Sequence, residues 1–139
     1  MTVTKKKVGV GTLVLVALLV AISLLPTVAS AYSVTGHSFE PWRGSWAASI
    51  YVYGKGETST DFTSPSLRNT VYLWKYEGGA WVIKQSAVGT KSNATYLAVT
   101  VRHYHPSGGT FLTQTKHEWK LPGGTSYYYG YSQSASRTL

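Results

Sequence analysis

From Tyr32 onward no stretch of the chain repeats its apolar residues every three or four positions. Short runs of Val, Ile, Thr, Tyr and Trp alternate with polar residues instead, and they stop at Gly, Pro, Ser or Asn. Alternation of period two sends side chains to opposite sides of an extended strand, whereas a helix cannot gather that pattern into one buried stripe. The core must come from β-sheet. Seven strands are predicted, at 32–39, 45–54, 69–76, 80–87, 94–105, 110–121 and 125–134. Glu77-Gly78-Gly79 supplies the positive φ of a tight hairpin turn between 71–76 and 80–85. Pro106-Ser107-Gly108-Gly109 reads as a second hairpin, between 96–105 and 111–121. Short strands, Gly-rich turns and no crossover helix predict an antiparallel β-sandwich, with a small closed barrel as the alternative.

In the second hairpin Leu97, Val99, Val101, Phe111 and Trp119 share one parity and predict the core side. With His105 opposite Phe111, Arg102 would lie across from Gln114, Thr100 from Lys116 and Tyr96 from Lys120. The opposite face would then carry Tyr96, Arg102, Tyr104, Lys116 and Lys120, with Glu118 as its only acid. Gly54 to Arg68, rich in Ser and Thr and holding Glu57, Asp61 and Pro65, reads as the one long loop, with a single helical turn at Ser64-Pro65.

Residues 1–31 predict an export signal. Lys5, Lys6 and Lys7 precede an uncharged apolar run from Val8 to Leu25, then Pro26 and the small-residue site Ala29-Ser30-Ala31. The alternative for this segment is a retained membrane anchor. A single domain, 32–139, remains. The whole chain carries 13 Lys+Arg against 5 Asp+Glu; without the three signal lysines, 10 cations face the same 5 acids. With 5 Trp, 11 Tyr and 3 Phe, the domain has the apolar surface to collapse, and aromatic packing is expected to hold it together. The absence of Cys excludes disulfides and thiolate chemistry, and an exported domain without them points to a bacterial, secreted or cell-surface protein.

Few residues offer catalysis. His103-x-His105 puts two imidazoles on one side of a strand, but His117 is placed about 13 Å along, His37 would have to approach from another strand and no carboxylate is close in sequence, so no metal or other cofactor is expected. The acids are Glu40, Glu57, Asp61, Glu77 and Glu118, of which Glu57 and Asp61 share the long segment. G-x-S-x-G is absent. This shortage of acids argues against an enzyme and leaves no catalytic residue to name. A small hydrolase built on His103 or His105 with those two acids is one alternative.

Binding is the better supported class. Tyr96, Arg102, Tyr104, Lys116 and Lys120, together with Trp74, are the predicted ligand-binding residues. They suit an anionic cell-surface polymer, a membrane surface or a protein partner. Nucleic acid is not an expected partner for an exported chain. A further alternative is an antibacterial, bacteriocin-like or membrane-active effector, self-associating through open strand edges. Most tryptophans are expected inside, Trp46 by its parity with Ala48, Ile50 and Val52, and Trp119 by its parity with Phe111.

Overall fold

The computed structural model describes residues 32–139; the predicted export segment lies outside the described residues. Six strands run in order: β1 Val34–Trp46, β2 Ser49–Glu77, β3 Ala80–Tyr104, β4 Thr110–Trp119, β5 Tyr128–Gln133 and β6 Arg137–Thr138. No helix occurs among the described residues. All ladders are antiparallel, and they join into one curled, half-barrel sheet.

β2 is its axis. β3 follows β2 from Glu77↔Ala80 to Tyr51↔Tyr104. On the other side of β2, β1 pairs with 49–60 and β4 with 67–75. At the middle of β2 the ladder to β3 jumps between Ser59 and Ser64, and the buried parity changes from Val52, Gly54, Gly56 and Thr58 to Leu67, Asn69, Val71 and Leu73. The sheet folds over at that jump, so its two halves face each other: Gly54 lies against Thr113 and Gly56 against Thr115. A Cβ at Gly36 would come 2.5 Å from the His117 ring, an approach only glycine permits.

Two apolar clusters fill the inside. One contains Val52, Val71, Leu73, Val101 and Phe111, the other Leu67, Ala94 and Leu97. Along the inner side of β2, Asn69 sits between them, and the interior there is polar.

Three expectations are corrected. The seven strands are six: 54–68 is strand and not loop, joining 45–54 to 69–76 within β2, 80–87 and 94–105 are one strand, β3, and β6 is additional; the inner positions of 54–64 are glycines and hydroxyls apart from Phe62 and carry little apolar alternation. Pro65 is accommodated there because it falls at the bend, before pairing with β4 begins at Leu67, where no ladder N–H is required. The predicted strand 45–54 is interrupted by a turn at Ala47 and Ala48, both at positive φ (47° and 62°). Finally, 96–105 and 111–119 do not pair with each other, since each pairs with a different half of β2. The Glu77–Ala80 hairpin forms as predicted, with Gly78 and Gly79 at φ of 62° and 81°. The core-facing parity of 97, 99, 101, 111 and 119 also holds, although the partner strand was misread.

Candidate functional site

The rings lie mostly outside. Trp46 is 53% exposed, contrary to its expected burial, and Tyr76, Tyr96, Tyr104, Tyr128, Tyr129 and Tyr131 are exposed as well. On the outer face of β1, the first half of β2 and the second half of β3, five rings join into a platform. Tyr51 is paired with Tyr104 and Tyr53 with both Trp42 and Arg102. Trp42 stacks on Tyr53 at 5.5 Å between centroids and 11° between planes. Tyr51 lies 5.8 Å from Tyr104, 6.3 Å from Tyr53 and 6.2 Å from Trp46. Gly44 makes room for this layer, since a Cβ there would be 2.8 Å from the Tyr53 ring.

Arg102 crosses the platform. Its guanidinium carbon is 3.9 Å from the Trp46 centroid and 5.4 Å from that of Tyr51, close enough for cation–π attraction. It has no carboxylate partner among the described residues, so its charge is neutralised only by solvent. Lys55, by contrast, is paired with Glu57, which also accepts a 2.5 Å hydrogen bond from the Tyr96 hydroxyl. The hydrogen bond from Lys55 holds the Glu57 carboxyl below its ordinary pKa, and Glu57 in turn raises the Tyr96 phenol. Beside the platform a cavity of about 710 Å³ opens between β1 and the end of β5, its lining including His37, Phe39, Glu40, Trp42, Lys55 and Gln133.

The predicted basic face is therefore divided. Tyr96, Arg102 and Tyr104 share the outer face of β3 with the platform. Lys116 lies on the outer face of β4, and Lys120 just beyond it, because β4 pairs with the other half of β2. There Arg68 makes a two-pronged bond to Glu118, 2.7 Å in each arm, and Lys116 approaches the same carboxylate at 3.2 Å. Arg68 and Lys120 each lie over Tyr127, at 4.7 and 4.8 Å, and Lys116 lies 5.2 Å from the Tyr129 centroid. Arg68 foremost holds the Glu118 carboxyl below its usual range. Trp74 also belongs to this second face, paired with Leu112.

Sequence reasoning missed a hydrogen-bonded chain in the interior. Asn69 gives its amide N–H to the Leu97 carbonyl at 3.2 Å, so its carbonyl accepts from the Thr58 hydroxyl at 2.6 Å. That hydroxyl proton being committed, His117 Nδ1 donates to Thr58 Oγ1 at 2.7 Å, and His117 Nε2 accepts from Ser132 at 2.6 Å. Ser38 closes the chain, with its Oγ 2.8 Å from both Ser132 Oγ and Thr115 Oγ1. Burial lowers the His117 pKa to about 4, with His37 adding to the effect, and the ring is neutral at ordinary pH. A Ser–His pair at this distance resembles the base and nucleophile of a hydrolase. In a Ser–His–Asp triad, however, a carboxylate stabilises the imidazolium, and here that position is taken by a threonine hydroxyl.

The rings of His103, on the inner side of β3, and His105, just past its end, are 5.9 Å apart, and burial lowers both pKa values. Glu57 is engaged with Lys55 and Tyr96, and Asp61 accepts the Ser33 backbone N–H at 2.7 Å. Among the described residues no three His, Cys, Asp or Glu side chains lie together as a metal-binding group. Comparison with family models, curated proteins and solved structures finds no match to this chain.

Proposed function

We propose that the chain is an exported, non-catalytic binding module whose aromatic platform holds an anionic cell-surface glycopolymer. The observation that carries this reading is Arg102, an acid-free guanidinium lying on Trp46 and Tyr51 within a layer of five outward-facing rings. Flat rings offer apolar area to the C–H faces of sugars, while a guanidinium forms paired hydrogen bonds with a carboxylate or phosphate. In the adjoining cavity Lys55 is paired with Glu57, and Glu40 lines the same wall, so the anionic contact is assigned to Arg102. The lysine-led apolar segment at the start of the chain supports export to where such polymers occur.

Retention on immobilised polygalacturonate, compared with an uncharged polysaccharide resin, tests the reading. Binding is expected to fall with rising salt and to weaken about tenfold in Arg102→Gln, the loss of one charge-assisted contact. Equal retention of the variant, or equal retention on both resins, would exclude the platform as the anionic site.

One observation favours a second reading. Among the described residues β3 pairs on one side only, and along its length lie Val82, Ile83 and the 62% exposed Val88. A long edge with few charges can take another copy of the chain, as a self-associating membrane-active effector would require. Leakage of anionic vesicles that rises steeply with protein concentration would select this reading, and intact vesicles would remove it.

A further inference from the structure

Another, open cavity of about 210 Å³ lies on the other outer face, lined by Trp74, Trp81, Leu112, Gln114 and Gln133. Its construction follows from register. Trp74 pairs with Leu112 on β4 and with Ile83 on β3, Gln114 pairs with Gln133 on β5, and Trp81 faces Tyr76 at the hairpin end. The Trp81 ring is 5.4 Å from that of Tyr76 and remains 38% exposed.

Three properties restrict what this cavity takes. None of its lining side chains is charged, so an ion would gain nothing there over water. Two carboxamides line it, and each offers both a donor and an acceptor, as adjacent hydroxyl groups require. The indole N–H of Trp74 is buried and has no acceptor within the protein. Being closed off from solvent, that N–H is out of a ligand's reach, and Trp74 contributes its ring to the cavity. The volume corresponds to about seven waters of liquid, the size of one ring rather than a chain segment.

We infer that this cavity is a binding site for a single neutral sugar ring, with its C–H face on the two indoles and its hydroxyls on Gln114 and Gln133. Its lining shares Gln133 with the cavity beside the Arg102 platform and is otherwise separate from it, and the assignment does not depend on that reading. With both sites filled, one molecule would hold a charged and an uncharged segment of glycan.

Proton–nitrogen correlation spectra of the indole N–H groups test the site. The probes are neutral tetrasaccharides of glucose and of N-acetylglucosamine, with polygalacturonate as the charged comparison. The Trp74 and Trp81 signals are expected to move together with one neutral tetrasaccharide, with a dissociation constant of about 1 mM that added salt leaves unchanged. Trp81→Ala and Gln114→Ala should each weaken this by about tenfold or more, and Arg102→Gln should have no effect. Both substitutions fall on partly exposed side chains, and unchanged signals from Trp42 and Trp46 would verify the fold of each variant. The assignment is overturned if neither indole responds at about a hundred times that constant. It is equally overturned if Trp81→Ala binds as tightly as the parent, or if the same indoles shift on protein dilution alone, which would place a second copy of the chain there.

Discussion

His117 shows how a buried imidazole sets the acid limit of this fold. In an unfolded chain it takes up a proton near pH 6.5, whereas inside the sheet, 3% exposed, it does so only at about 4. Between these values the unfolded state binds more protons. Stability contributed by the neutral ring is therefore complete above pH 6.5 and declines as pH falls toward 4, by about 3 kcal/mol over the interval. Denaturant midpoints measured from pH 7 to 4 should follow this slope. His117→Gln is expected to lower stability at pH 7 and to flatten the slope, leaving the part that His103 and His105, and near pH 4 the paired Glu57, Glu77 and Glu118, contribute with the same sign. An unchanged slope in that variant would remove His117 from the account. Ala47 and Ala48 present the opposite situation, strain without a visible compensation. Both occupy the left-handed region in a two-residue turn that favours Asn-Gly. Ala47→Asn with Ala48→Gly is expected to raise stability by about 1–2 kcal/mol, read as a higher thermal midpoint. Neither feature could be read from the chain: Ala-Ala has no turn signature, and the partners of His117 come from β1, β2 and β5.

The long strands β2 and β3 owe their length to a bend that the sequence disguises. Hydrophobic alternation locates a strand only when the buried face is apolar, and the inner face through 54–64 is Gly54, Gly56, Thr58, Thr60, Phe62 and Ser64. That stretch resembles a Ser- and Thr-rich loop. By contrast, 97–101 and 71–73 have apolar inner residues, and both their facing and the Glu77–Ala80 turn were legible. Opposite the bend, Asn93 takes φ of 48°, a conformation that asparagine tolerates and a β-branched residue does not. Asn93→Val should cost about 1–2 kcal/mol, whereas Asn93→Gly should leave the thermal midpoint nearly unchanged. Equal losses in both variants would mean that the Asn93 side chain, and not its backbone, secures the bend.

Curling one sheet onto itself decides which residues can cooperate. Because β4 pairs with the second half of β2, Lys116 and Lys120 join Arg68, Glu118 and Tyr127 on one outer face, while Arg102 and Tyr104 remain with Trp42, Trp46, Tyr51 and Tyr53 on the other. The residue types of a binding surface were evident from composition and parity. Their grouping was not, since it depends on strand partners that no local pattern specifies. The small apolar interior explains why so many rings are available outside: glycines and hydroxyls let the two halves approach closely, leaving little volume for indole or phenol. The central claim is that the Arg102 platform is the anionic site, and mapping bound polygalacturonate by the aromatic ring proton shifts tests it most directly. Trp46, Tyr51 and Tyr104 should shift together and lose that response in Arg102→Gln, with Tyr127 and Tyr129 unaffected. Shifts confined to Tyr127 and Tyr129, or a response that survives Arg102→Gln, would contradict it.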